Sequence, residues 1–344
     1  MNRRDEHWLG GLACGVGAFL AGRALVRRSR HFDLKGRTVL ITGGSRGLGL
    51  LMARVFCERG ACVAICARDA NELDRAKGML GRERHCLWTG VCDVTQREQV
   101  AELVGSVRRD LGQIDVLVNN AGVIEVGPAS TMTLADYETA MATNFWAALY
   151  ATQEVLDPML RRGAGRIVNI TSVGGKIAVP HLLPYSASKF AAVGWSNGLR
   201  AEVKRRGVYV TTIVPGLMRT GSPRNADFKG RQNEEYAWFS VMDSLPITSM
   251  SARRAAARIV RACVNGEAEV TLPIQAKLAT TFAAIFPGTT AEVSSLVNDH
   301  LLPADDGAGG GQGVRKGREM RLDGVPDALT ALSDRAAREN NEVE

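Results

Sequence analysis

Between Asp33 and Pro273, seven short apolar runs alternate with segments of helical periodicity. The runs are TVLIT (38–42), CVAICA (62–67), HCLWTGV (85–91), DVLVNNAG (115–122), RIVNITS (166–172), YVTTIVPG (209–216) and AEVTL (268–272). Runs this short and this apolar suit strands buried on both faces, and strands separated by helices pair in parallel through βαβ crossovers. The pattern predicts an α/β fold: a Rossmann-type, doubly wound parallel sheet of about seven strands, a single domain with terminal extensions. At 344 residues the chain holds one such core, expected over 32–273, and appendages at both ends.

TGGSRGLG (42–49) leaves the first strand and enters a helix beginning near Leu48. Such a turn brings backbone N–H groups and a helix N-terminus onto a phosphate, and its glycines let a pyrophosphate approach closely. The second strand ends about twenty residues on, where a dinucleotide site reads the adenosine ribose. An acid there binds the 2′-hydroxyl of NAD, whereas the 2′-phosphate of NADP needs a cation. Here the strand ends in Ala67 and Arg68, and the glycine turn carries Arg46. Two guanidiniums favour NADP(H) over NAD(H). Asp69 would become the ribose acid if the strand were one residue longer; its other reading, which we prefer, is the N-cap of ANELDRAKGML.

YSASK (185–189) places a phenol and an ammonium four positions apart, hence on one helix face. Hydride addition to a carbonyl builds negative charge on oxygen, which calls for a hydrogen-bond donor and a proton source. Tyrosine, with a pKa near about 10, exchanges protons poorly at neutral pH, and a cation one turn away favours its phenolate.

TGGSRGLG, CDV (92–94), NNAG (119–122), Asn144, Ser172, YSASK and PG (215–216) together resemble the short-chain dehydrogenase/reductase family over roughly residues 33–273. The resemblance implies a catalytic tetrad of Asn144, Ser172, Tyr185 and Lys189. Asn144 would hold a water in a proton relay, and Ser172 would bond the substrate oxygen. Tyr185 would pass the proton, while Lys189 would bind the nicotinamide ribose and lower the tyrosine pKa. The implied cofactor contacts are Thr42, Gly43, Ser45, Arg46, Gly47, Leu48, Gly49, Arg68, Asp93, Val94, Asn119, Ala121, Gly122, Tyr185, Lys189, Pro215, Gly216 and Thr220. The family also implies a homodimer or homotetramer through the helices around Asn144 and Tyr185. A non-catalytic NADP-binding sensor or scaffold is the contrasting class; it would normally have lost a tetrad member, and none is lost here.

Substrate specificity in the family lies after the fifth and sixth strands. The first segment, VGGKIAVPHLLP, is mostly apolar, with His181 expected at a pocket rim. The second, a lid over about 217–250, carries Phe228, Tyr236, Trp238, Phe239 and Met242, which either line an apolar pocket or form the lid's own small core. A lipophilic ketone or aldehyde is the expected substrate.

Residues 1–31 form a hydrophobic N-terminal segment, uncharged from Trp8 to Gly22 and reaching Val26 if Arg23 snorkels. That length just suffices for one spanning helix, and Arg23, Arg27, Arg28 and Arg30 would keep the catalytic domain in the cytoplasm. Membrane association through this segment is therefore expected, with a plainly cytoplasmic protein as the other outcome. Residues 274–302 read as amphipathic helices, with Leu278, Phe282, Ile285 and Phe286 on one face. That face suits packing in a core or dimer, which we favour, or cover for a pocket, or contact with a membrane. The end from Pro303, containing DDGAGGGQG, reads as a flexible tail over 303–344 with one short helix inside it, PDALTALSDRAAR.

Net charge is +7, yet the basic doublets Arg108–Arg109, Arg161–Arg162 and Arg205–Arg206 are scattered among acids. With no basic stripe interleaved with stacking aromatics, no nucleic-acid partner is expected. The seven cysteines form no CxxC pair and the five histidines are isolated, so free thiols in a reducing compartment and no metal are expected.

Overall fold

The structure, a computed structural model, describes residues 30–81, 86–304, 313–320 and 326–343. The expected N-terminal anchor lies outside the described residues, apart from its last two positions. Among the described residues no helix is long and apolar enough to cross a membrane.

The core alternates as the apolar runs predict. In order come β1 (Thr38–Thr42), α1 (Gly47–Glu58), β2 (Cys62–Ala67), α2 (Ala70–Leu80), β3 (Leu87–Val91), α3 (Arg97–Leu111) and β4 (Ile114–Asn119). After β5 (Glu125–Val126), α4 (Leu134–Met141) runs through a π-helical turn, Ala142–Trp146, into α5 (Ala147–Arg162). Then follow β6 (Gly165–Ile170), α6 (Leu183–Val203), β7 (Val208–Pro215), β8 (Leu217–Arg219), β9 (Asp227–Phe228) and α7 (Gln232–Ser244). The domain closes with β10 (Ser249–Ser251), α8 (Ala252–Val264) and β11 (Glu269–Leu272).

Seven strands make one parallel sheet in the order β11-β7-β6-β4-β1-β2-β3. Side-chain alternation along each strand feeds two cores. Val39, Ile41, Val63, Ile65, Val116 and Val118 pack with α1 and α8 on one face. Leu40, Ala64, Leu117, Ile167 and Val210 pack with α3 and α5 on the other. The chain reverses direction across the sheet between β1 and β4, which opens a crevice at their carboxyl ends, where sheets of this type bind ligands.

The lid is a small subassembly. β8 pairs with β10, and β9 pairs with both β5 and the later β12 (Arg315–Lys316). Phe228, Tyr236 and Phe239 are buried together with Val126, Leu182 and Met320.

Three expectations need correction. Residues 313–320 and 326–343 are packed on the domain: β12 pairs with β9, and α11 (Asp327–Glu339) lies against α7. What composition marks as tail is tethered by contacts to residues a hundred positions away. Second, α9 (Ile274–Ile285) and α10 (Pro287–Leu301) leave Leu278, Phe282, Ile285 and Phe286 exposed, so among the described residues that face makes no core packing, which leaves the dimer reading of the same face standing. Third, Cys62 and Cys86 form a disulfide between β2 and the residue before β3, because parallel pairing brings those strand starts together.

Candidate active site

A cavity of about 1140 Å³ lies along the carboxyl ends of the central strands. Its walls include Gly43, Ser45, Arg46, Gly47, Leu48, Arg68, Asp93, Val94, Ala121, Gly122, Ser172, Tyr185, Lys189, Pro215, Gly216 and Thr220. The expected cofactor residues thus converge on one space, with exceptions that strand geometry explains.

The glycine turn is built for close approach. Gly43 sits at φ +63, where a Cβ would come 2.9 Å from the Ala121 Cα. A Cβ on Gly49 would stand 2.2 Å from the Gly43 carbonyl oxygen, so this glycine lets α1 press onto the turn and does not line the cavity. Thr42 also works from behind: its hydroxyl accepts from the N–H groups of Asn120 (3.1 Å) and Ala121 (3.2 Å). Asn120 returns the contact, its Nδ2 donating to the carbonyls of Thr42 (3.1 Å) and Gly43 (2.8 Å). The loops after β1 and β4 are thereby joined.

Asn119 is a correction. It points into the sheet core, donating to Thr152 Oγ1 (3.1 Å) and Asn169 Oδ1 (2.8 Å), and does not touch the cavity. Its neighbour Asn120 lines the cavity instead. The NNAG motif was legible, but which asparagine faces the ligand depends on the register of β4.

At the end of β2, Asp69 is the N-cap of α2 and accepts from the Glu72 N–H (3.0 Å). That hydrogen bond holds the carboxyl below its ordinary value. Arg68 lines the cavity, is exposed, and has no ion-pair partner among the described residues. Arg46 is already engaged, beside Glu72 Oε1 (3.6 Å) and Glu342 Oε2 (3.8 Å) and donating to Asn225 Oδ1. Asp93 closes a turn by accepting from the N–H (3.0 Å) and hydroxyl (2.8 Å) of Thr95.

The residues expected as a tetrad come from three elements. Ser172 follows β6, and its Oγ accepts from the Gly174 N–H at 3.0 Å, which sets its rotamer. Tyr185 and Lys189 lie one turn apart on α6, the ammonium 5.6 Å from the centre of the phenol ring. Lys189 Nζ donates to the Ile170 carbonyl (3.2 Å). Asn144 sits in the π-helical turn, a feature frequent at functional sites. Its Oδ1 accepts from the Val123 N–H (3.0 Å), and its Nδ2 donates to the Val123 carbonyl (3.1 Å) and Ser188 Oγ (3.0 Å). Asn144 therefore stands behind the cavity wall at Gly122, where a Cβ would meet its Oδ1 at 2.9 Å.

The electrostatics differ from the expectation that Lys189 lowers the phenol. Desolvation pushes the Tyr185 phenol above its ordinary value, and the group pulling it down is Ser172 through a hydrogen bond. Lys189 is itself pushed down to about 8 by burial. It remains mostly charged at neutral pH.

One further residue departs from expectation. His181, expected at a rim, is buried and bonded through Nδ1 to Glu235 Oε1 (2.7 Å), while Glu235 also accepts from Trp238 Nε1 (2.7 Å). The lid residues divide: Phe228 and Tyr236 build the lid's core, Phe239 belongs to that core and also borders the cavity, and Trp238 and Met242 line the cavity with Val179, Leu182 and Leu301. Sequence reasoning missed Asp243 and Glu342 on the cavity wall, and no local signal marks either.

A doubly wound sheet with a glycine turn at its switch point, and a serine, tyrosine and lysine across the crevice, defines a dinucleotide-dependent oxidoreductase. The chain belongs to the short chain dehydrogenase family, whose model matches residues 37–229. It resembles gluconate 5-dehydrogenase of Gluconobacter oxydans, 36% identical over 189 residues that cover 55% of this chain and 74% of that protein. It also resembles dehydrogenase/reductase SDR family member 7B of Danio rerio, 32% identical over 273 residues, covering 77% of this chain and 86% of that one. The fold matches the crystal structure of levodione reductase with a TM-score of 0.61, at 24% identity over 70% of this chain and 96% of that chain. As a family member the protein is an oxidoreductase of alcohol and carbonyl groups that uses a nicotinamide cofactor.

Proposed function

We propose that the protein interconverts a lipophilic ketone or aldehyde and its alcohol, with NADP(H) as redox partner and Tyr185 as proton donor or acceptor. The observation that carries this reading is the convergence of Ser172, Tyr185 and Lys189 on a cavity also lined by Arg68 and Asp93. The cradle fits a dinucleotide: Gly43 and Gly49 stand where any Cβ would collide with backbone. Bound NADPH would supply the hydride that reduces the carbonyl carbon. Ser172 then donates to the carbonyl oxygen, and Tyr185 delivers a proton to that oxygen as charge builds there. Lys189 would hold the nicotinamide ribose, and Asn144 would hold the water that returns a proton.

NADP is supported by Arg68 at the end of β2 and by Asp69 being committed to its N-cap. An apolar substrate is supported by Val179, Leu182, Trp238, Met242 and Leu301 on the cavity wall. A membrane anchor in residues 1–31 would place the catalytic domain near such substrates. A homo-oligomer through the α5–α6 face is supported by the exposure of Trp146 and Phe190 there. The test is NADPH oxidation with a panel of long-chain, sterol-like and small polar carbonyls. Tyr185→Phe should lose on the order of 10²–10⁴-fold in turnover while still binding NADPH. Retained turnover refutes the proton role, and turnover confined to small polar ketones refutes the lipophilic substrate.

A further inference from the structure

The segment Asn340–Glu342 of the same chain lies on the glycine turn. The Asn340 carbonyl accepts the N–H of Gly47, the first residue of α1, at 2.8 Å. Asn341, at φ +61, donates through Nδ2 to the carbonyls of Ser45 (2.8 Å) and Glu72 (3.0 Å), and its Oδ1 accepts from Arg75 Nε (3.0 Å). Glu342 follows: its carboxyl lies beside Arg46 and accepts from Asn225 Nδ2, and Oε1 is so close that a Cβ on Gly47 would meet it at 2.4 Å. The Glu342 side chain is only 6% exposed.

These are the groups a dinucleotide phosphate needs. The N–H groups that open a helix after a glycine turn, with a guanidinium beside them, form an anion site. Here a carbonyl satisfies one of those donors, and a carboxylate paired with the arginine supplies the anion. The two occupants compete for the same atoms.

The segment is delivered by α11, which packs on the lid helix α7. Ser333 Oγ donates to Asp243 Oδ2 (2.8 Å), and Arg224 pairs with Asp334 (3.4 Å). Gly221 lies so near α11 that a Cβ there would come 2.7 Å from that of Ala337.

We propose that Asn340–Glu342 is an autoinhibitory plug of the dinucleotide site, displaced when the cofactor binds and coupled to the lid through α11. This rests on the nicotinamide cofactor reading of the same site. The plug is built to leave. Burial pushes the Glu342 carboxyl up to about 7 against the pull of Arg46, with Glu72 and Asp243 adding like charge. At neutral pH the docked carboxyl is therefore held at a cost.

The test uses the full chain. An Asn341→Ala/Glu342→Ala variant should bind NADPH about tenfold more tightly than the parent in a fluorescence titration, because the competent state no longer has to be won from the plugged one. In the unaltered protein, saturating NADPH should accelerate hydrogen exchange across 327–343, a readout that needs no variant to fold. Equal or weaker affinity in the variant overturns the plug, and so does protection of 327–343 by NADPH, which would make the segment a strap closing over bound cofactor. If neither protein binds NADPH or NADH, the cofactor reading itself falls and takes the plug with it.

Discussion

Lys189 is the group whose charge costs the fold most visibly. It is buried, carries one hydrogen bond, to the Ile170 carbonyl, and is pushed from the ordinary lysine value of 10.5 down to about 8. That displacement corresponds to about 3 kcal/mol at about 1.4 kcal/mol per pH unit. The sign follows from proton linkage. Between about pH 8 and 10.5 this lysine keeps its proton in the unfolded chain and has lost it in the folded one, so its own contribution to stability rises with pH across that window. Below pH 8 both states are protonated and the full penalty applies. Lys189→Met removes the charge and keeps the stem, but leaves the Ile170 carbonyl without this donor, which costs about 1 kcal/mol. The variant should therefore be more stable than the parent by about 2 kcal/mol at pH 7, a Tm shift of about 4–8 °C for a domain this size. Above pH 8 the advantage should shrink by about 1.4 kcal/mol per pH unit and vanish at about pH 9.5. Urea unfolding of cofactor-free protein at pH 7 and pH 10 measures it, alongside an assay showing that turnover is lost. A variant no more stable than the parent at pH 7, or an advantage over the parent that fails to shrink from pH 8 to 10, would refute the reasoning. Such a gain on deleting a functional group is what a site held under strain predicts.

Two other perturbations probe the cofactor cradle. Arg68→Ala should weaken NADPH by about 10–100-fold and leave NADH nearly unchanged, the worth of a charge-assisted phosphate contact; equal losses for both would remove Arg68 from 2′-phosphate selection. Gly49→Ala places a Cβ 2.2 Å from the Gly43 carbonyl, so α1 must move off the turn. It should cost about 1–3 kcal/mol in denaturant unfolding and weaken both dinucleotides together.

Much of this was readable before any coordinates. Strands of five or six apolar residues carry their own evidence, because a sheet covered on both faces leaves no polar side to disguise them. Gly43 and Gly47 announce a turn that needs positive φ, and Asp69 stands where an N-cap belongs. Tyr185 and Lys189 were legible as a pair because one helical turn separates them. Ser172 and Asn144 were legible only through the ordered family motifs, since neither spacing nor periodicity marks them.

Other features could not be read locally. Asn119 and Asn120 are adjacent and identical, and only the end of β4 decides which one enters the core and which one reaches the cavity. The lid aromatics look alike in sequence, yet Phe228 packs inward from β9, and on α7 Tyr236 turns inward while Trp238 reaches the cavity because that helix has two faces. His181 and Glu235 meet across 54 positions, and Asn341 meets Ser45 across 296.

The sequence by itself determined the doubly wound sheet, the glycine turn and the pairing of Tyr185 with Lys189 on one helix face, because each is written in neighbouring residues through periodicity, chain reversal or helical spacing. Tertiary structure alone decided that the C-terminal segment folds back, that Glu342 reaches the guanidinium of Arg46, and that burial rather than charge sets the poise of Tyr185 and Lys189. Those outcomes depend on which distant surfaces meet and how much water they exclude, quantities that no local stretch of chain contains.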